Sequence, residues 1–461
     1  MNLEKLLLEP ESKTLEFKRD LSSLDPILKT VVAFANTAGG TLIIGRTPDG
    51  HLSGIPDIFK AEEALANAIA DGIRPSIFPE IEIATINGKN LLVVKVSHWR
   101  APFYLKREGI PHGVYVRLGS TSRPAGPELL AELQRSVIMS SFDQNPLTDL
   151  SKDSLEHDIL TDSFKHVRKE IDEEKLRSLG VLVPVAKKLV PSIGGLILFG
   201  KKESRTQMMP DARVSCARFL GTTKAKILDR FELEGTILEA VDQVPKFIAR
   251  NTRLAAEFER IQRKDIPEYS PIALREALIN ALVHADYSIS GAHIQIAIFD
   301  DRLEIQNPGM LPFGFTLEDL KTGVSRIRNR VIARVFHELQ FMEQWGSGYK
   351  RILDACHAEG YPEPKWEELS AALRVTFYPH SQTVWTGMQF SESGEVYFTD
   401  REKAILALFK KGERLAFREI FSRVGTLASE RTLKYDLASL TKKRALISNG
   451  KGRAVVYQKI L

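Results

Sequence analysis

A chain of 461 residues is too long for one ordinary domain, and about three are expected. With 43% apolar and 27% charged residues it has the balance of a folded globular protein. It lacks any run of about 18 apolar residues that could cross a membrane, and its two cysteines, Cys216 and Cys356, are far apart, match no metal-binding spacing and read as buried free thiols. The net charge of +5 is mild, so its distribution carries more information than its size.

The first stretch, MNLEKLLLEPESKTLEFK, has charges inside its only apolar run and no small-residue cleavage site, so it is not read as a signal peptide. Residues 25–45, DPILKTVVAFANTAGGTLIIG, predict a helix, a Gly39–Gly40 turn and a buried strand. A second helix is expected from Ala61 to Gly72. Strands follow at 81–86, 91–98 and 113–120, the first two joined by an Asn87–Gly88 turn, and a helix at 127–137 closes an α+β unit. Residues 141–158 are polar, carry a proline and have no apolar period, so they read as a linker. A helical pattern resumes at 161–182. Buried strands are expected at 191–202 and 212–221, and a long helix is expected from residue 231 to about 262, with a break near Pro245.

Residues 270–290, SPIALREALINALVHADYSIS, are the centre of the chain. Ser270 and Pro271 give a helix start, and Glu276, Asn280 and His284 then fall at steps of four, on one helical face. The Asn oxygen suits a hard Mg²⁺ and the Glu can orient or deprotonate a water. A surface helix carrying unrelated polar residues would show the same spacing. Residues 292–311 read as strand, Asp-Asp turn, strand and an Asn-Pro-Gly loop. Residues 340–352 place Gly346 and Gly348 just ahead of a helix, where backbone N–H groups can approach phosphate.

In this order these elements resemble the GHKL ATPase superfamily, and more closely its divergent branch related to the C-terminal part of a DNA helicase, over roughly residues 160–380. The resemblance implies Glu276 as the water-orienting base and Asn280 as the Mg²⁺ ligand, with His284 beside them. It implies that Asn307 and Gly309 lie against adenine, that Gly346 and Gly348 border the phosphates, and that Arg328 and Asn329 belong to a lid. Asn307 stands where the superfamily usually has an acidic residue; its oxygen can still accept from the adenine amino group.

The N-terminal motifs ESKTLEFK, AFANTAGGTLIIG and YVRLGSTS resemble the Schlafen AlbA-like domain over residues 5–140. That family implies nucleic-acid binding and, in some relatives, cleavage of structured RNA. Glu11 and Glu16 match its glutamate pair, and Asp49 is the one candidate for the third carboxylate. Alternatively, Glu11 and Glu16 are surface charges near Lys18 and Arg19. Basic and aromatic residues interleave at 98–112, and Lys18, Arg100, Lys106, Arg107 and Arg117 are the candidate nucleic-acid contacts here.

Residues 381–399 read as a second linker. Residues 400–461 then hold 15 Lys and Arg against 6 Asp and Glu, a local charge of +9. Three helices and two strands around a Gly-Lys-Gly turn predict a winged helix-turn-helix. Ser429 would cap its third helix. Arg431, Lys434 and Tyr435 would face the groove or backbone of DNA, and Lys442, Lys443, Arg444, Lys451 and Arg453 its phosphates.

The expected whole is an α+β multidomain protein. It has a Schlafen AlbA-like domain (1–140), a GHKL-type α/β sandwich (159–380) and a winged helix (400–461). The expected function is that of a cytoplasmic, homo-oligomeric regulator of transcriptional type that binds ATP, Mg²⁺ and DNA or RNA, without a membrane. Two other readings stay open. One is a Schlafen-type metal-dependent RNA or DNA endonuclease, possibly in phage defence, controlled by ATP. The other is an assembly protein that dimerises through the winged helix.

Overall fold

The central helix forms because its cap and its composition agree. Ser270 Oγ accepts from the Ala273 N–H at 3.4 Å, Pro271 needs no donor in the first turn, and the helix runs from Pro271 to His284. Leucine, isoleucine and alanine go round it on all sides. It is the buried centre of its domain, which decides against a surface helix.

The computed structural model describes residues 3–47, 49–259, 262–324, 326–342, 348–369, 371–383, 399–409, 413–424, 430–442, 445–449 and 455–459. The chain falls into two units, Met1–Arg253 with Tyr269–Pro379, and Leu254–Glu268 with His380–Leu461.

The first unit holds two modules. In the N-terminal one, β1 (Leu15–Lys18), β2 (Gly40–Ile44), β3 (Glu80–Ile86) and β4 (Lys89–Val96) make a sheet of order β1-β2-β4-β3. Strands β1 and β2 are parallel and the other pairs antiparallel. Helices α1 (Leu24–Asn36) and α2 (Ile58–Gly72) bury Ile27, Val31, Phe34, Leu65 and Ile69 against β2 and β4. A hairpin, β5 (Tyr115–Leu118) and β6 (Thr121–Pro124), leads into α3 (Pro127–Val137).

The second module starts with α4 (His157–His166), α5 (Glu173–Leu179), the hairpin β7 (Leu182–Val185) and β8 (Lys188–Pro191), α6 (Ile193–Phe199) and α7 (Lys202–Met208). Then come β9 (Val214–Phe219), β10 (Ile227–Glu232), α8 (Ile237–Asn251), the central helix α9 (Pro271–His284), β11 (Ile294–Ile298) and β12 (Leu303–Pro308). Last are α10 (Leu317–Lys321), α11 (Arg330–Glu338), α12 (Gly348–Ala358), β13 (Lys365–Glu368) and β14 (Ala372–Phe377). The sheet order is β10-β9-β11-β12-β14-β13, with β9 and β11 parallel and the remaining pairs antiparallel. One face of this sheet and α8, α9 and α11 share a single core that includes Val214, Phe247, Leu278, Leu282, Ile296, Ile305 and Phe336.

Three sequence expectations need correction. The run at 191–202 is a helix, not a strand. Ser192 Oγ accepts from Gly195 N–H at 3.0 Å, and a Cβ on Gly195 would strike the Val181 carbonyl. A short, wholly buried apolar run has no periodicity to separate the two. The long helix begins only at Ile237, after β10, and stops at Asn251. It contains Pro245, and extended Thr252 leads into a strand, Leu254–Glu259, paired with Gln262–Pro267. The segment 141–158 is packed rather than a free linker: Asp143 is fully buried, Leu155 is buried, and Phe142–Gln144 and Lys152–Ser154 are 3₁₀ turns.

In the second unit, helices Asp400–Ala407, Phe417–Val424 and Glu430–Lys442 enclose Ile405, Phe409, Ile420, Leu433 and Leu437. A three-stranded sheet runs in the order Arg414–Ala416, Val456–Lys459, Leu446–Asn449. Arg401 makes two bonds to the buried Asp436 carboxylate, at 2.5 and 2.9 Å. Most of the expected second linker, residues 384–398, lies outside the described residues, as does Ser429. Among the described residues no helix is long and apolar enough to cross a membrane.

Candidate functional site

Helix α9 turns Glu276, Asn280 and His284 toward one cavity of about 890 Å³ in the first unit. The first residue of α12 closes on them. A Cβ on Gly348 would lie 2.8 Å from Asn280 Nδ2 and 2.9 Å from Glu276 Oε1. Only a residue without a side chain lets the helix start approach both polar heads this closely. Arg351, one turn on, stands 3.7 Å from the Glu276 carboxylate. Tyr349 and Trp366 stack obliquely along the same wall, with ring centroids 4.6 Å apart.

At the other end of α9, burial and the nearby Arg328 charge hold the His284 imidazole down to about 4, so it faces the cavity neutral at pH 7. Asp286 follows. Its carboxylate accepts from Ser288 N–H and Oγ on one oxygen and from Arg328 Nη1 at 2.6 Å on the other. Gly309, at φ +94°, passes so near that a Cβ would sit 2.7 Å from the Asp286 Cβ. Asn307, buried at the end of β12, lines the cavity beside it.

Two groups from outside the second module act here, Glu132 in the wall and Asp143 buried behind it. Glu132 on α3 stands 3.2 Å from Arg328 Nη1; burial pushes its carboxyl above the usual range, and Arg328 offsets this in part. Asp143 caps α11 from a distance: it accepts from the N–H groups of Arg330 (3.1 Å), Val331 (2.7 Å) and Ile332 (2.9 Å). Three orphan donors of one helix start are thus met by a residue almost two hundred positions earlier. The segment between β12 and α11 is fastened to the N-terminal module as well. Phe313 shares a core with Val114, Val116 and Leu133, and Gly314 N–H donates to the Thr37 carbonyl.

The predicted residues fare unequally. Glu276, Asn280, His284, Asn307, Arg328 and Gly348 meet at one cavity, with Gly309 packed behind it. Asn329 does not line it; its amide is buried and donates to the Val283 and Ala285 carbonyls, holding the end of α9. Gly346 lies outside the described residues. The three N-terminal carboxylates do not assemble. Glu16 is buried and held by Arg117 at 2.8 Å and by Lys18, Glu11 accepts from the Phe17 N–H at 3.0 Å, and Asp49 is exposed beside His51. Among the described residues no group of three or more His, Cys, Asp and Glu is placed to hold a metal.

Arg117 is corrected too. It is 1% exposed and bonded to Glu16, to the Ser12 carbonyl and to Ser122 Oγ, so it braces the module instead of meeting a partner. Lys18 is spent on Glu16, and Arg107 is shared with Asp25 and Glu108, while Arg100 and Lys106 are exposed. In the second unit Lys434 pairs with Glu430 at 2.7 Å and Tyr435 is 70% exposed. The side chains of Arg431 and Lys442, and all of Lys443, Arg444, Lys451 and Arg453, fall outside the described residues. Sequence reasoning missed Glu132, Asp143, Asp286 and Arg351. Only Asp286 left a local trace, as an Asp two residues ahead of Ser288 at a helix end.

Residues 11–126 match the family described as "Schlafen, AlbA_2". Residues 291–377 match the family described as "Putative ATP-dependent DNA helicase recG C-terminal". The chain joins an AlbA_2 domain to a RecG C-terminal-like domain. The second match begins after α9, so Glu276 and Asn280 lie outside it, and their assignment rests on the cavity they share with Asn307 and Gly348. A solution structure of the N-terminal domain of a "Putative ATP-dependent DNA Helicase RecG-related Protein" from Nitrosomonas europaea is 32% identical, covering 27% of this chain and 90% of its own, with a TM-score of 0.21. The DIP2311 protein from Corynebacterium diphtheriae is 18% identical, covering 99% of this chain and 98% of its own, with a TM-score of 0.42. No curated protein matches the chain.

Proposed function

We propose that the chain is a nucleic-acid-associated regulator that takes a magnesium nucleotide in the α9 cavity. The observation that carries this is the meeting of Glu276, Asn280 and the side-chain-free Gly348 on a cavity that Asn307 also lines, with the Gly309 turn packed behind it. The donor set suits the group. A carboxamide oxygen is a hard ligand for Mg²⁺, and a helix start without a Cβ leaves room for phosphate oxygens. Asn280 would hold the metal, which when bound would draw charge from the phosphate oxygens. Glu276, kept beside Arg351, would orient a water toward the terminal phosphate. Asn307 would accept from the amino group of the base.

Nucleic acid is proposed as the partner, through the exposed basic residues Arg100 and Lys106 of the AlbA_2 domain and the basic C-terminal region read as a winged helix. The helix-strand-helix-helix-strand-strand order of residues 400–459 supports that reading.

Titration calorimetry of the full chain with MgATP tests the site. Binding should weaken at least about tenfold in Asn280→Ala and in Gly348→Ala, whose new methyl would displace both polar heads. Glu276→Ala should bind and lose any hydrolysis. No heat from the unaltered chain at high concentration would end the proposal.

A further inference from the structure

The cavity is built from both modules of the first unit, and its charge is uneven. Four carboxylates line it, and each already faces a cation. Glu132 and Asp286 share Arg328, Glu338 faces Lys169 and Lys175 at 3.0 and 2.7 Å, and Glu276 faces Arg351. Arg100, Arg135 and Arg330 also line it and make no ion pair with a described residue. Arg135 is the best placed of the three. It lies one turn beyond Glu132 on α3, is half-buried, and rests 5.5 Å from the centroid of the Phe142 ring. Its charge bears on Glu132 without an ion pair between them, so the guanidinium, held by an aromatic face, keeps its hydrogen-bond donors for a ligand, and the ligand that complements several such groups is a polyanion.

Resting on the nucleotide reading above, we propose that the AlbA_2 side supplies part of the nucleotide site: Arg135, reached from α3, contacts the phosphate chain of a nucleotide whose metal end lies at Asn280. The site is then incomplete in the RecG C-terminal-like domain by itself. The ligand bridges the modules, and whatever binds the N-terminal module acts on the nucleotide through the same helix.

The test uses the full chain and MgATP in calorimetry, with Arg135→Gln, which keeps the stem as far as Cδ and removes the charge, and Arg135→Lys, which keeps charge. The expected result is a loss of about tenfold or more for the Gln variant, the scale of one hydrogen bond between charged groups, with partial recovery in the Lys variant. A Gln variant that binds as tightly as the unaltered chain overturns the inference and leaves the nucleotide reading standing, and so does a Lys variant that binds no better than the Gln variant. An unaltered chain that does not bind MgATP overturns both.

Discussion

Arg117 sets the terms at the scale of single residues. It lies in the YVRLGSTS motif, where a basic residue invites a nucleic-acid reading, yet its guanidinium is sealed between Glu16, the Ser12 carbonyl and the Phe34 ring. Removing one half of a buried pair leaves the other charge stranded, so Arg117→Ala should cost about 3–5 kcal/mol, read from the urea midpoint of the full chain. A change under about 1 kcal/mol would mean that Glu16 relaxes to solvent or to Lys18.

Two histidines give the same unit a pH signature. His98 and His284 are both held down to about 4, chiefly by burial, against about 6.5 in an unfolded chain. Between those values the unfolded state takes up protons that the folded state refuses. Stability is therefore complete above about 6.5 and is lost as pH falls toward 4, with a slope of at most about 1.4 kcal/mol per unit for each histidine. Glu132 and Asp143, raised by burial, act in the opposite sense: the fold releases their protons at higher pH than the unfolded chain does, so the stability they add at low pH is lost as pH rises through their raised values. Urea midpoints at pH 7 and 5.5 should show the acid-side loss, and His98→Gln should reduce it.

Single elements show which parts of the fold could be read from sequence. Helix α9 was legible because cap, proline and spacing agree within a few residues, and the three helices and last two strands of 400–459 were legible because their periods are ordinary, while the three-residue strand Arg414–Ala416 is too short to show one. Helix α6 was not, because a run buried on every side carries no period, and its two glycines answer to Val181 and Val331 rather than to their neighbours in sequence. The start of α11 was illegible for a different reason. Asn329 precedes it without making the cap, and the carboxylate that does so comes from Asp143. Asp143→Ala should cost about 2 kcal/mol or more, more than an ordinary exposed cap, since three backbone donors lose one buried acceptor. Hydrogen exchange should place the loosening at residues 330–333.

For the whole molecule, the charge distribution supplies the expectation. Residues 400–461 carry +9, more than the entire chain's +5, so the proposed binding to nucleic acid, tested with duplex DNA, should be dominated by phosphate contacts. Affinity should fall by about a thousandfold or more between 50 and 200 mM salt if six or more phosphates are met, and fluorescence anisotropy across that range would measure the slope. If MgATP shifts the DNA affinity by some factor, DNA must shift the MgATP affinity by the same factor, which a second titration checks.

The buried Asp143 also bears on how the domains could be exchanged. A cut placed in the polar stretch after residue 144 would leave the RecG C-terminal-like half without the anion that seats one of its own helices, and an N-terminal half ending there would carry that anion away unused. The seam along which this protein could be recombined with others therefore lies before Ser141, and an excised second half should fold as in the parent only if it begins there or earlier.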